Sequence, residues 1–267
     1  MNRLDSTLQR LRQQQRSGLA CYFTAGDPDY ARSLELLRSL ASAGADVIEL
    51  GLPFSDSVAD GPAIQQAHLR ALAAGQTVAR TLQLVAELRS SDATTPVVLM
   101  GYLNPVMQYG PDFMAAAAQA GVDGLLLVDL PMEHAAPWQT AAERAGLHLI
   151  RMTAPTSDDA RLQQVLADAS GMVYHVTVTG TTGQKSAVAA DIAKDLARLR
   201  RHTDLPLAAG FGIRTPEQAR ALAAHADLVV VGSRLVEVLN TDGMDGALQA
   251  IRELAVAVQG RGDAVWP

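Results

Sequence analysis

A chain of 267 residues is long enough for one large domain or two small ones, and 48% of it is hydrophobic, enough for a sizeable core. The formal net charge is −6, and lysine and arginine are scattered, which argues against a nucleic-acid-binding protein. The single cysteine, Cys21, excludes an internal disulfide and is typical of a reducing compartment.

The first residues, MNRLDSTLQRLRQQQRSG, are polar with a helical pattern and predict a helix over 2–15. They contain no apolar stretch of the kind that a signal peptide needs. Elsewhere, no apolar run reaches the roughly 18 residues of a membrane-spanning helix. We therefore expect a soluble, cytoplasmic protein.

Short apolar runs, each ending in Gly, Pro or Asp, predict eight strands along the chain. In order, they cover residues 18–24, 46–50, 96–100, 123–128, 147–152, 172–177, 205–210 and 227–232. The runs are almost continuously apolar, which is typical of parallel strands that are covered on both faces. Helical stretches such as 29–45 and 216–226 separate them.

Eight strands alternating with helices predict a (β/α)8 TIM barrel that forms a single domain over 1–267. The N-terminal helix would cap the barrel, and a short extra helix would follow the eighth strand. A doubly wound open sheet is the alternative, but no GxGxxG motif follows the first strand. In a TIM barrel the active site lies at the carboxyl ends of the strands, so polar residues there are the candidates.

The stretch VIELGLPFSDSVADG, residues 47–61, places one acid in an apolar strand and two more in the following loop. Desolvation makes a buried carboxylate costly, so Glu49 is either paired or kept for chemistry. Burial would raise its pKa towards the range in which a carboxyl both donates and accepts protons. Asp60 could supply a fixed negative charge, because two carboxyls in different environments can hold different protonation states.

Glycines after the seventh and eighth strands predict an anion site. Gly212 lets the backbone approach a ligand, and Gly232 and Ser233 precede a short helical stretch whose first N–H groups would face an anion. Ser233 could bind the anion or only cap the helix. The loop after the sixth strand is rich in Thr and Gly and suits either a lid or a mobile surface loop. The six histidines show no metal-ligand spacing, so we expect no metal site.

Several motifs together resemble the tryptophan synthase alpha subunit family over nearly the full chain. They are TAGDPD (24–29), ELGLPFSDSVADGPAIQ (49–65), LMGYLNP (99–105), DLP (129–131), GFGI (210–213) and VVGS (230–233). The resemblance implies a (β/α)8 barrel and a lyase of tryptophan biosynthesis, which cleaves indole-3-glycerol phosphate to indole and glyceraldehyde 3-phosphate. It also implies a beta-subunit partner in an alpha2-beta2 tetramer. Pyridoxal phosphate would belong to that partner, and this chain would hold no cofactor.

The resemblance assigns roles to individual residues. Glu49 would move protons and Asp60 would accept a hydrogen bond from the indole N–H. Substrate binding would involve Phe23, Tyr102, Tyr174, Thr182, Gly183, Phe211, Gly212, Gly232 and Ser233. Contacts with the beta subunit would involve Asp56, Ser57 and Asn104.

Three positions depart from the family pattern. Ser57 stands where the family usually has proline, Val178 where it usually has arginine, and Arg234 where a small residue is more common. The first two leave open a stand-alone lyase that releases free indole. Another phosphate-binding barrel, an isomerase or decarboxylase, is a further alternative. This alternative is disfavoured because Glu49 and Asp60 occur in one strand and loop, and because no lysine lies at a strand end to act as a base or form a Schiff base.

Overall fold

The computed structural model describes residues 2–176, 185–210 and 212–260, and within these it leaves out the side chains of 185–190. The strands are Gly18–Thr24 (β1), Val47–Gly51 (β2), Val97–Gly101 (β3), Gly124–Leu127 (β4), His148–Leu149 (β5), Arg151–Thr153 (β6), Val173–Val176 (β7), Leu207–Gly210 (β8) and Leu228–Val231 (β9). The helices are Arg3–Gln13 (α1), Tyr30–Ala43 (α2), Pro62–Ala73 (α3), Val78–Arg89 (α4), Leu103–Tyr109 (α5), Phe113–Ala120 (α6), Ala136–Ala145 (α7), Asp159–Leu166 (α8), Lys185–Leu199 (α9), Pro216–Ala223 (α10) and Ser233–Gln259 (α11). A short 3-10 turn covers Met132–His134.

All strand pairs are parallel, in the order β5-β4-β3-β2-β1-β9-β8-β7-β6. The two end strands, β5 and β6, are halves of one predicted strand and are separated only by Ile150. Because β5 pairs with β4 and β6 pairs with β7, the two edges of the sheet meet and the sheet is nearly closed. The structure thus confirms the (β/α)8 barrel and places a strand in each of the eight predicted segments.

Alternate side chains along each strand face the barrel axis. The inner cluster includes Ala20, Val98 and Leu228, and α1 contributes Leu4 and further leucines to the same cluster. Helix α1 therefore closes the end of the barrel at which the strands begin, as the sequence predicts. The opposite end, where the strands finish, remains available for a site.

The helix after β9 contains a break. Gly243 has φ 72° and ψ −166°, so α11 consists of a first part before this residue and a longer second part after it. The first part is the extra helix that the sequence predicts over 234–239. The second part packs on the outside of the barrel through Ile251 and Leu254. Within the described residues, no helix is both long and apolar enough to cross a membrane.

Candidate active site

A cavity of about 190 Å³ opens where the strands end. It gathers predicted site residues from four strands and the loops that follow them: Glu49 and Asp60 from β2 and its loop, Tyr174 from β7, Gly212 after β8, and Gly232 with Ser233 after β9. The remaining lining residues are mostly apolar, among them Met100, Val128, Met152 and Val230. A mainly apolar cavity with a few polar groups suits a ligand that has an aromatic body and a charged end.

Glu49 faces this cavity from near the end of β2, with Tyr22 and Val98 as its neighbours on the adjacent strands. It is 3% exposed, and its Oε1 has no hydrogen-bond partner among the described residues. Burial and, second, the negative charge of Asp60 raise the pKa of Glu49 to about 8. Glu49 is therefore protonated at neutral pH.

Asp60 lies in the loop after β2, and its side chain is 7% exposed. Its Oδ2 accepts a hydrogen bond from the Tyr102 hydroxyl at 2.9 Å, and that hydroxyl accepts one from the Ala59 N–H at 2.9 Å. Burial raises the pKa of Asp60, whereas the Tyr102 hydroxyl lowers it. Because Asp60 has this donor and Glu49 Oε1 has none, Asp60 is the first of the two carboxyls to ionise.

The structure places Phe23 away from the cavity, contrary to the role that the resemblance implied for it. Phe23 is 2% exposed and packs in the cluster between the strands and the surrounding helices. Its neighbour Tyr22 lines the cavity instead. Since successive side chains in a strand point to opposite faces, only one of these two aromatics can face the axis.

Gly51 is the sequence feature that could have identified Tyr22. The two residues lie on neighbouring strands, and a Cβ on Gly51 would overlap the Tyr22 hydroxyl. The Tyr22 hydroxyl lies 3.1 Å from Nε2 of His68, a buried residue of α3. No comparable signal marks His68, because its contacts arise only in the folded chain.

The predicted anion site is built from glycines at the ends of β8 and β9. Gly212 has φ 67°, a left-handed conformation that favours glycine. Gly232 is the N-cap of α11 and has no side chain to occupy the first N–H groups of the helix. These N–H groups start beside Ser233, which lines the same cavity as Glu49. An anion bound there would be held by backbone donors and by the helix dipole.

The other predicted positions fall into two groups. Thr182, Gly183 and Phe211 lie outside the described residues, as does Val178. Asp56 and Asn104 are exposed, whereas Ser57 is only 4% exposed. In the described part of the chain, no group of three or more His, Cys, Asp or Glu side chains could hold a metal ion.

Comparisons with known proteins identify the family of this chain. The family model described as "Tryptophan synthase alpha chain" matches residues 8–265. A structure of tryptophan synthase subunit alpha from Legionella pneumophila str. Paris is 37% identical, with a TM-score of 0.90, and the match covers 97% of this chain and 98% of that one. A Mycobacterium tuberculosis tryptophan synthase structure is 36% identical, with a TM-score of 0.88 and the same two coverages.

A structure from Aquifex aeolicus VF5 is 33% identical and has a TM-score of 0.90, with 97% of this chain and 100% of that chain covered. The family model spans nearly the whole chain, and the structural matches share more than 30% of their residues with it. The chain therefore belongs to the tryptophan synthase alpha chain family.

Proposed function

We propose that Glu49 and Asp60 carry out the lyase reaction of this chain, the retro-aldol cleavage of indole-3-glycerol phosphate to indole and glyceraldehyde 3-phosphate. One observation carries the assignment. The two carboxyls line one cavity, and although burial raises the pKa of both, the hydrogen bond from Tyr102 favours the charged form of Asp60, whereas Glu49 Oε1 has no donor among the described residues. Such a pair separates the roles of proton donor and fixed charge.

The first step needs a proton on the indole ring, because cleavage leaves an electron pair on C3. Glu49, protonated at neutral pH, donates its proton to C3 and becomes a carboxylate. The positive charge on the ring extends to the indole N–H. Asp60 accepts a hydrogen bond from this N–H and stabilises the charge as it develops.

The second step removes the proton from the glycerol hydroxyl beside the bond to be broken. The Glu49 carboxylate takes this proton, the hydroxyl carbon becomes the aldehyde, and the carbon–carbon bond breaks. The electron pair of that bond returns to the indole ring, which becomes neutral indole. Glu49 ends the cycle protonated, so a single carboxyl serves both proton transfers.

The substrate phosphate fits the backbone donors at the other end of the cavity. Gly212, Gly232 and Ser233 offer N–H groups and the start of a helix. Holding the phosphate there would fix the indole end of the substrate relative to the two carboxyls. Tyr22 and Tyr174, which line the cavity, would then contact the indole and glycerol parts.

The family works with a beta subunit, and the exposed side of the loop that carries Asp60 suits such a contact. Val58 is 84% exposed and Met107 on α5 is 60% exposed, near the polar Asp56 and Asn104 in the sequence. Exposed apolar side chains among polar ones are typical of interaction surfaces. We place the beta-subunit contact here, in an alpha2-beta2 assembly.

Ser57 would act on this contact indirectly. Its carbonyl oxygen accepts hydrogen bonds from the Asp60 N–H at 3.1 Å and from Gln65 Nε2 at 3.2 Å. The turn that presents Val58 to a partner is therefore the turn that positions Asp60. We assign no cofactor to this chain, place pyridoxal phosphate in the partner, and place the enzyme in the cytoplasm.

The decisive experiment measures indole released from indole-3-glycerol phosphate, with and without a beta subunit. Glu49→Gln keeps the size and polarity of the side chain but cannot transfer protons, so we expect kcat to fall by about 10³-fold or more. Substrate should still bind, because the phosphate site is unchanged. Glu35→Gln, the same change on an exposed part of α2, is the matched control and should be fully active.

Near-normal turnover by Glu49→Gln would refute the role of Glu49. A rate that does not respond to the cognate beta subunit would refute the proposed coupling and would favour the stand-alone lyase. Activity on a sugar phosphate, with none on indole-3-glycerol phosphate, would favour another phosphate-binding barrel enzyme.

A further inference from the structure

His68 lies on α3 directly behind the cavity and is 2% exposed. Its Nδ1 accepts a hydrogen bond from the Phe54 N–H at 2.9 Å. A neutral imidazole that accepts at Nδ1 carries its hydrogen on Nε2. Burial lowers the pKa of His68 to about 4, so the ring is neutral at physiological pH. The tautomer is therefore set by the backbone of the loop after β2.

The Nε2–H of His68 has one hydrogen-bond acceptor at the edge of the cavity, the Tyr22 hydroxyl, and the Asp60 carboxylate lies just beyond hydrogen-bond distance. Tyr22 Oη lies 3.1 Å away and Asp60 Oδ2 lies 3.9 Å away. Tyr22 Oη is also 3.4 Å from Thr24 Oγ1, another buried group. Asp60 Oδ2 is the oxygen that accepts from Tyr102, and among the described residues Asp60 Oδ1 accepts no side-chain or backbone hydrogen bond.

We propose that His68 is a positioning residue, whose Nε2–H fixes the Tyr22 hydroxyl by a hydrogen bond and whose ring lies against the Oδ2 side of the Asp60 carboxylate. With Tyr102 and His68 on one side of Asp60, Oδ1 is left to accept the indole N–H. The inference rests on the role of Asp60 in the proposed function. An acceptor that is already oriented need not reorganise when charge develops on the substrate, which lowers the barrier.

His68 could also have a purely structural role, as an anchor for the Phe54 N–H. Two side-chain amides separate these roles. In His68→Asn, the amide oxygen lies near the position of Nδ1 and can still accept from Phe54, but no donor reaches Tyr22 or Asp60. In His68→Gln, the longer amide brings an N–H group close to the position of Nε2.

The test compares kcat and KM for indole formation in the two variants. We expect kcat of His68→Asn to fall about tenfold with KM almost unchanged, because the phosphate site is intact and only charge stabilisation is weakened. His68→Gln should recover most of this loss. Full kcat in His68→Asn, or equal kcat in the two variants, would overturn the inference.

A second measurement keeps His68 in place and does not depend on the folding of these variants. In Glu49→Gln protein with 15N-labelled histidine, the Nε2–H resonance of His68 should shift when indole-3-glycerol phosphate is added. A resonance that does not shift under saturating substrate would overturn the inference.

Asp60→Asn separates a failure of the proposed function from a failure of the proposed role of His68. If Asp60→Asn keeps full kcat, the proposed function itself fails. If Asp60→Asn is impaired and His68→Asn is not, only the role of His68 fails.

Discussion

Glu49 and Arg151 are two charged residues that each lie in a strand of the barrel and are almost fully buried. Glu49 is 3% exposed and faces the axis, whereas Arg151 is 9% exposed and points outwards to Gln139 on α7. Each has one buried atom without a partner among the described residues, Oε1 in Glu49 and Nε in Arg151. They differ in chemistry: a carboxyl can take up a proton and become neutral, and a guanidinium stays charged.

Among the residues that the structure describes, Arg151 makes one hydrogen bond, from Nη2 to Gln139 Oε1 at 3.1 Å. No carboxylate of the described residues lies within ion-pair distance of it. The charge of Asp168 acts on it only from further away. The two residues therefore differ in whether burial of an ionisable group serves the proposed reaction. In the proposed reaction Glu49 is buried where a substrate needs its proton, whereas the burial of Arg151 serves no proposed step and disfavours the charged guanidinium, which lowers its pKa.

The largest expected effect concerns the pH dependence of turnover. In the proposed reaction Glu49 begins protonated, and its pKa of about 8 is that of the free enzyme, so kcat/KM should fall about tenfold for each pH unit above about 8. Asp60→Asn should move this limb to lower pH, because the charge of Asp60 is the second cause of the raised pKa. Steady-state indole formation across neutral and alkaline pH measures the position of this limb in the wild type and in Asp60→Asn.

Arg151→Met is the control for this measurement and should show the pH profile of the wild type. A wild-type rate that stays constant well above pH 8 would exclude Glu49 as the acid.

The next effect is on the free energy of unfolding. The pKa of Glu49 is about 8 in the folded state and has its ordinary value of 4.5 in the unfolded state. Between these values the folded state binds the extra proton, so the contribution of Glu49 to stability is fully present below pH 4.5 and is lost as pH rises to about 8. The slope is up to about 1.4 kcal/mol per pH unit.

Glu49→Gln removes this contribution, and the variant should gain stability relative to wild type as pH rises through this window. Urea unfolding of both proteins at several pH values measures the difference. Asp60 titrates in both proteins, so its contribution cancels to a first approximation. Parallel curves for the two proteins would show that Glu49 is not perturbed by burial.

The fold could be predicted because buried parallel strands leave a clear pattern of apolar runs separated by helices. Because these runs are continuously apolar, the sequence did not predict which side chains of β1 face the barrel axis. A strand that is covered on both faces shows no alternation, so the sequence could not tell whether Phe23 or Tyr22 faces the axis. The break at Ile150, which divides the fifth predicted strand, also leaves no mark in an apolar run.

The candidate site was predictable to a similar degree. Glu49 stood out because an acid in an apolar strand contradicts the local pattern. Arg151 contradicts the pattern in the same way, but no loop motif and no resemblance to the family indicates a role for it. The sequence does not distinguish His68 from the other histidines, because its proposed role depends on contacts with Phe54 and Tyr22 that form only in the folded chain.

The smallest expected effect is a gain in stability from Arg151→Met. Methionine has a similar length and removes a buried cation that no carboxylate of the described residues pairs with, so the free energy of unfolding should increase by about 1–3 kcal/mol. Gln139 Oε1 loses its donor in this variant, which offsets part of the gain. The double variant Arg151→Met with Gln139→Leu should therefore be more stable than Arg151→Met alone. Urea unfolding at neutral pH measures all of these differences.

Arg89→Met is the matched control, because the Arg89 side chain is 11% exposed but fully partnered. Its Nη2 lies 3.0 Å from Asp123 Oδ2, and its other nitrogens donate to the carbonyl groups of Gly121, Asp92 and Thr95. Removing it leaves Asp123 buried without this partner, so we expect a loss of about 3–5 kcal/mol. A loss of similar size in Arg151→Met would mean that Arg151 has a compensating partner. Burial of Arg151 would then stabilise the barrel, and only Glu49 would remain an uncompensated buried group.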